Sequence, residues 1–267
     1  MSPIIHCIRH GQGFHNVGAG AYTLRDPDLT PLGEEQSEIL RKASFPNQSN
    51  ISLIVASPLR RTLHTAFSIF KPALTSNGKC SPEILALPDI QETSDNLCDI
   101  GSDLPTLQTL VIENKWPVDV TLIKEGWNIK TLESRYSPHS DAITIRARDA
   151  RLALRRIVRE LVEQGDEDVH IAVVTHGSFL HFFTDDWEDA WKYPATGWRN
   201  CETRSYIFED DFRKDRDVEA RLTKTGESRA KRGKEYPMYG RERQPGLFRF
   251  AMEEWGKQGL QRPDKLE

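Results

Sequence analysis

The chain has 267 residues, of which 37% are hydrophobic and 28% charged, a composition typical of a folded globular protein. This length allows one large α/β domain or two small ones. The formal net charge of -4 gives no broad attraction for nucleic acid, so we expect no nucleic-acid partner. No segment approaches the roughly 18 consecutive apolar residues of a membrane span, so we expect no membrane partner either.

The cysteines and the N-terminus indicate the compartment. The chain starts without the basic segment and long apolar core of a secretory signal. The cysteines are scattered, with neither a disulfide framework nor a zinc-binding pattern; they are Cys7, Cys80, Cys98 and Cys201. We therefore expect reduced thiols in a protein of the cytoplasm or the nucleus.

Strand-like apolar runs alternate with amphipathic helical segments along the chain. The strands are predicted at residues 3–8, 52–56, 83–87, 169–174 and 203–208. A first helix is predicted to start at Pro31, and further helices at about 58–70, 104–114 and 141–164. Thr30 is expected to cap the first helix and Ser57 the second, each followed by a proline suited to the first helical position. This alternation predicts an α/β fold, a three-layer α/β/α sandwich with a largely parallel central sheet.

Two other segments interrupt this pattern within what we expect to be a single domain over residues 1–267. Residues 89–140 are irregular and are predicted to form a cap-like insertion over the sheet. Residues 209–246 alternate in charge and are predicted to be a mobile segment. The predicted helix at 141–164 carries six arginines, which are expected to form a solvated face.

Two histidines follow predicted strands, in Arg9-His10-Gly11 and in Thr175-His176-Gly177. The carboxyl ends of parallel strands converge on one crevice, so His10, the segment 57–60 and His176 are expected to meet there. A neutral imidazole held in one tautomer can attack phosphorus, and arginines bind phosphoryl oxygens. Arg60 is expected to complete this anion site from the first turn of its helix, with Arg61 exposed on the surface.

The ordered motifs over residues 4 to 183 resemble the histidine phosphatase superfamily, in its phosphoglycerate-mutase-like branch. They are Ile8-Arg9-His10-Gly11, Asn16, Leu29-Thr30-Pro31-Leu32-Gly33-x-x-Gln36, Ser57-Pro58-Leu59-x-Arg61-Thr62-x-x-Thr65-Ala66 and Thr175-His176-Gly177. The stretch 175–187 and the later Gly197-Trp198-Arg199-Asn200-Cys201-Glu202 are similar to fungal members of that branch.

The resemblance implies roles for individual residues. His10 is the expected nucleophile, and the phosphate pocket would consist of Arg9, Arg60, His176 and Gly177, with Asn16 on its rim. The proton donor is expected in the segment Leu87-Pro88-Asp89-Ile90-Gln91-Glu92, as Glu92 or, alternatively, Asp89. No metal and no cofactor are expected, because arginines and imidazole offset the charge of the phosphate.

Two departures from the family pattern favour a phosphatase over a mutase. Gln12 follows Arg-His-Gly where mutases carry glutamate, and the Glu-Arg-His-Tyr-Gly segment of true phosphoglycerate mutases is absent around Glu92. The sequence therefore predicts hydrolysis of a phosphorylated small molecule. Phosphoglycerate-mutase-type phosphotransfer, a repurposed small-molecule enzyme and a phosphate-binding module on the same fold stay open as alternatives.

Overall fold

The computed structural model describes residues 1–18, 20–192 and 196–266. A seven-stranded sheet in the order β4-β3-β2-β5-β1-β6-β7 forms its centre. The strands are β1 (Ile4–Arg9), β2 (Ile51–Ala56), β3 (Ile84–Ala86), β4 (Val118–Asp119), β5 (His170–Thr175), β6 (Thr203–Phe208) and β7 (Leu222–Lys224). The five strands from β4 to β1 pair in parallel, and β6 and β7 add antiparallel pairs. The predicted largely parallel sheet is therefore confirmed.

Helices cover both faces of this sheet. They are α1 (Pro31–Ser44), α2 (Arg60–Thr75), α3 (Leu104–Glu113), α4 (Ser140–Glu163), α5 (Gly177–Thr184), α6 (Gly226–Ala230) and α7 (Gln244–Lys257). One buried cluster packs α4, α5 and α7 against one face, and a second packs α1, α2 and α3 against the other. Successive residues of β2 alternate between the two clusters, as the two-residue period of a strand requires.

The helix starts place the site residues. Thr30 caps α1 as predicted, since its hydroxyl accepts a hydrogen bond from the Gly33 amide. In contrast, α2 has Leu59 as its N-cap and begins at Arg60, two residues later than expected. Ser57 is therefore no cap, and its hydroxyl is available to another partner.

The insertion at 89–140 carries short 3-10 turns at Pro88–Ile90 and Leu97–Asp99, followed by α3 and β4. Since β4 pairs with β3, the insertion also extends the sheet at its edge. Its first part crosses the carboxyl ends of the strands, because the Thr175 hydroxyl donates to the Ile90 carbonyl at 2.5 Å.

The predicted mobile segment at 209–246 instead contains β7 and α6. Arg229 is 4% exposed and donates to Glu188 at 2.7 Å, and Lys234 pairs with both Glu188 and Asp189. The prediction is corrected because the alternating charges find partners far away in sequence, which local composition does not reveal.

The arginines of α4 are likewise not all solvated. Arg146, Arg151 and Arg155 are at most 7% exposed and donate to main-chain carbonyls of neighbouring segments. Among the residues that the structure describes, no helix is long and apolar enough to cross a membrane.

Candidate active site

His10 lies immediately after β1, and its side chain is 1% exposed. Its Nδ1 lies 2.7 Å from the Gly11 carbonyl oxygen. A carbonyl oxygen only accepts hydrogen bonds, so Nδ1 carries the proton and Nε2 keeps its lone pair. Burial, then the nearby charges of Arg61 and Arg9, hold the pKa of His10 well below its usual 6.5. The imidazole is therefore neutral and fixed in one tautomer.

Arg61, and not Arg60, is the arginine of α2 at this site. Its side chain is fully buried, with Nε 3.4 Å from His10 Nε2 and NH2 3.2 Å from His176 Nδ1. The Cys98 carbonyl and the Asp99 carboxylate hold the guanidinium at 2.7 and 2.9 Å. Arg61 thus connects both histidines to the insertion.

Arg60 points away from the histidines, and its predicted place in the pocket is corrected. Its guanidinium pairs with Asp28 at 2.7 Å, and the side chain is 33% exposed. Adjacent residues on a helix point about 100° apart, so only one of the two arginines can face the crevice. The sequence signal for Arg61 is the motif Ser57-Pro58-Leu59-x-Arg61, in which the arginine is fixed and the residue at position 60 is variable.

His176 is fully buried between β5 and α5, with its ring centroid 5.2 Å from that of His10. Arg61 can only donate, so Nδ1 of His176 accepts and its Nε2 carries the proton. Nε2 lies 2.8 Å from the Ser57 hydroxyl, which accepts that proton. Burial and the charge of Arg61 hold the pKa of His176 well below 6.5, so this ring is neutral as well.

Arg9 ends β1 and lines the same pocket with 7% of its surface exposed. One terminal nitrogen donates to the Trp198 carbonyl at 2.5 Å, while the buried Nε has no partner among the described residues. Gly177 packs directly against Arg9. A Cβ on Gly177 would lie 2.5 Å from Thr196 Oγ1 and 3.3 Å from Arg9 Nε, so only glycine fits here without displacement.

Glu92 and Asp99 are the carboxyl groups of the insertion that line the pocket, and Asp99 is paired with Arg61. Glu92 Oε1 accepts from the Thr93 and Phe179 amides at 2.9 and 3.0 Å, whereas Oε2 has only a 3.4 Å contact with the Ser178 amide. Burial, and then the negative charge of Asp99, raise the pKa of Glu92 despite these amides. Oε2 is the oxygen with a position left for a proton.

Asp89, the alternative donor, is committed elsewhere. Both of its carboxylate oxygens bind the Arg135 guanidinium, at 3.0 and 2.7 Å, and it does not line the pocket.

The main chain next to Glu92 is held by two cations. Lys130 Nζ donates to the carbonyls of Glu92 and Ser94 at 2.7 Å, and Arg146 donates to the Glu92 carbonyl at 3.0 Å.

The pocket has a volume of about 80 Å³ and lies over His10 and Arg9. Asn16 lies on its exposed rim, where its side-chain oxygen accepts from the Gly13 amide at 3.0 Å. His15 lines the wall, with its ring centroid 5.4 Å from that of His10. Arg61 and His176 are fully buried and adjoin His10, which lines the pocket. Within the described ranges, no group of three or more His, Cys, Asp or Glu side chains is arranged to hold a metal ion.

Four features of the site went unrecognised in the sequence. They are the buried Arg61, the Ser57 hydroxyl that orients His176, Asp99 and the buried Lys130. Lys130 and Asp99 belong to an irregular segment without periodicity, which gives no signal of burial.

Comparison with known proteins identifies the class of this site. Residues 5–79 match the family model of the histidine phosphatase superfamily (branch 1), and this range holds His10 and Arg61. The chain is thus similar to the histidine phosphatase superfamily over residues 5–79, and its relatives include phosphoglycerate mutase-like proteins.

Individual relatives are similar over most of the chain. A phosphoglycerate mutase-like protein of Arabidopsis thaliana is 28% identical over 244 residues, which cover 77% of this chain and 84% of the relative. A probable phosphatase of Schizosaccharomyces pombe is 29% identical over 181 residues, covering 67% and 76% respectively. The ecdysone phosphate phosphatase of Bombix mori, solved with tungstate, shares the fold with a TM-score of 0.50 at 14% identity, over 76% of this chain and 88% of that one.

Proposed function

We propose that the protein hydrolyses phosphomonoesters of small molecules through a covalent phosphohistidine on His10. The observation that carries this proposal is the bond from His10 Nδ1 to the Gly11 carbonyl, because it leaves Nε2 unprotonated. A neutral imidazole with a fixed tautomer is ready to attack phosphorus without prior proton transfer. The probable phosphatase of S. pombe and the sedoheptulose 1,7-bisphosphatase of Saccharomyces cerevisiae, 27% identical over 194 residues, support hydrolysis as the outcome.

The first step forms the bond between His10 Nε2 and phosphorus and breaks the bond from phosphorus to the ester oxygen. Arg9 and Arg61 face the phosphoryl oxygens, where their charges oppose the charge that develops in the transition state. A phosphoryl oxygen replaces His10 Nε2 as the partner of Arg61 Nε, since their present 3.4 Å contact is weak. Glu92 Oε2 gives its proton to the departing alkoxide.

The second step reverses these roles with water. Glu92, now ionised, takes a proton from water while the water oxygen attacks phosphorus, and the bond to His10 breaks to release inorganic phosphate. His176 stays neutral throughout, because Ser57 and Arg61 engage both of its nitrogens. Its proposed role is to hold Arg61 against His10. Because it is neutral, it does so without adding a further positive charge beside His10.

The experiment is a hydrolysis assay on wild type and His10→Asn with 4-nitrophenyl phosphate and an alkyl phosphate. Wild type is expected to release phosphate from both, and His10→Asn to lose at least about 10³-fold in kcat. Equal rates for the two proteins would contradict the proposal. A mutase would instead require a bisphosphorylated primer and return the phosphate to an organic acceptor, which phosphate release in the absence of primer excludes.

The cysteines support the expected compartment. All four are buried free thiols. We propose that the enzyme works in the cytoplasm or the nucleus, where thiols stay reduced.

A further inference from the structure

The entrance of the pocket differs in chemistry from its base. At the base, Arg9 and the neighbouring Arg61 supply positive charge. The remaining described residues that line the pocket include no lysine and no further arginine. His10 and His15 are neutral, because burial and the arginines hold their pKa values well below 6.5. The cations of the pocket are therefore confined to the place of one phosphoryl group.

The pocket is also small. Its volume of about 80 Å³ is well below the ~300–1,000 Å³ of sites that enclose a whole small molecule. Most of a substrate beyond its phosphoryl group must then lie at the entrance. The residues there are Asn16, Tyr22, Asn96, Leu260 and Gln261, and none of them is charged.

The two arginines nearest in sequence to the entrance residues, Arg25 and Arg262, do not line the pocket. Arg25 donates to the Gly101 carbonyl at 3.2 Å, and Arg262 forms a two-point pair with Asp264 at 3.1 and 2.6 Å. The carboxyl groups of Glu92 and Asp99, by contrast, line the pocket itself. A second anionic group on the substrate would meet these carboxyl groups, and the described pocket lining offers it no lysine and no arginine besides Arg9.

Exposed apolar side chains lie on the short turns next to this entrance, and of these Tyr22 lines the pocket itself. Tyr22 is 50% exposed and Leu97 46% exposed, on two short turns (Ala21–Thr23 and Leu97–Asp99) that contact each other. The same segment before the first turn exposes Phe14 at 46% and Val17 at 53%. Exposed apolar residues grouped at a pocket mark a surface for apolar ligand atoms.

We infer that the substrate of this site is a monophosphate ester whose leaving group is uncharged and apolar, such as a longer alkyl or aryl alcohol. This inference rests on the proposed function and narrows it. The ester oxygen lies near Glu92, and the carbon skeleton extends over Tyr22 and Leu260. Bisphosphates and phosphorylated carboxylic acids are poor substrates, because their second charge finds no partner.

The experiment compares kcat/KM of the wild type for four esters. They are methyl phosphate, hexyl phosphate, 3-phosphoglycerate and fructose 1,6-bisphosphate. Hexyl phosphate is expected to exceed methyl phosphate by at least ~10-fold, because added methylene groups leave water at the rim, and to exceed both anionic esters as well. Hydrolysis with a preference for either anionic ester would overturn this inference and leave the proposed function standing. Absence of hydrolysis of all four esters would overturn both.

Variants test the residues directly. Tyr22→Ala is expected to lower kcat/KM for hexyl phosphate about 5-fold while leaving methyl phosphate unchanged. Ile112→Ala is the matched control, because Ile112 is 75% exposed on α3 and does not line the pocket. Asn96→Lys, which adds a cation at the entrance, is expected to raise kcat/KM for 3-phosphoglycerate by about 10-fold. An equal loss for both alkyl esters in Tyr22→Ala, or no gain in Asn96→Lys, would contradict the assignment.

Discussion

The adjacent arginines of α2 provide a matched pair of substitutions, Arg61→Lys and Arg60→Lys. Arg61 Nε and its two terminal nitrogens contact four groups, at 2.7 Å from the Cys98 carbonyl, 2.9 Å from Asp99, 3.2 Å from His176 and 3.4 Å from His10. A lysine keeps the positive charge beside Asp99 but has a single nitrogen. It cannot hold the carboxylate and meet a phosphoryl oxygen with the same geometry.

The loss of one preorganised donor to a developing charge costs about 2.7–4 kcal/mol, so kcat of Arg61→Lys is expected to fall 10²- to 10³-fold. Arg60 forms a surface pair with Asp28 and is 33% exposed. Such pairs contribute about 0–1 kcal/mol to stability, so Arg60→Lys is expected to retain kcat within about twofold and Tm within a few degrees.

The assay is steady-state hydrolysis of 4-nitrophenyl phosphate, with thermal unfolding of each variant as the control for folding. A fall in kcat without a matching fall in Tm separates a role at the phosphate from a role in stability. Comparable activity of the two variants, or a larger loss in Arg60→Lys, would refute the reasoning.

Four further predictions follow from the same geometry. Glu92→Gln is expected to lower kcat for an alkyl phosphate by about 10²- to 10⁴-fold. The loss for 4-nitrophenyl phosphate should be much smaller, because its leaving group needs no proton. Equal losses for the two substrates in steady-state assays would contradict a donor role. For the alkyl ester, kcat/KM should fall as pH rises through the raised pKa of Glu92, because the acid form of Glu92 is needed. On the acid side, kcat/KM should persist well below pH 6.5, because His10 stays neutral there. Loss of activity near pH 6.5 on acidification would count against this. Gly177→Ala is expected to lower both kcat and stability, by about 1–3 kcal/mol in unfolding experiments. Gly246→Ala, with no atom within 4 Å of its new Cβ, is expected to leave kcat unchanged and not to lower stability, since alanine suits its place in α7; similar effects of the two variants would be inconsistent with the packing. Burial lowers the pKa of His6 and His181 to about 4. Below pH 6.5 the unfolded chain therefore binds protons at these histidines that the folded chain does not bind, and Tm should fall by roughly 10 °C between pH 6.5 and 4. A Tm that does not change over this range would contradict the prediction.

Strand and helix periodicity sufficed for most of the architecture. The predicted strands match β1, β2, β3, β5 and β6 to within about one residue, and the long helix matches α4. The missed strands β4 and β7 have two and three residues, too few for a period of two to be visible. Both lie at edges of the sheet, where pairing depends on distant segments.

The site was predicted where a motif follows a strand and missed where the contact is tertiary. His10 and His176 follow β1 and β5, so the rule of converging strand ends was enough to bring them together. The choice between Arg60 and Arg61 failed because it depends on the first residue of a helix, and helix starts are the least certain feature of a sequence pattern. The charged segment at 209–246 folds through pairing with Glu188 and Asp189, which no local pattern shows.

The covalent role of His10 is tested most directly by trapping the phosphoenzyme. The wild type is mixed with a radiolabelled alkyl or aryl phosphate, quenched within milliseconds in alkali, and digested for mass spectrometry. We predict a base-stable, acid-labile adduct on the peptide that contains His10, formed and lost at rates that match turnover, and absent from His10→Asn. Full turnover by wild type without an adduct on His10, or an adduct on another residue, would contradict the central claim.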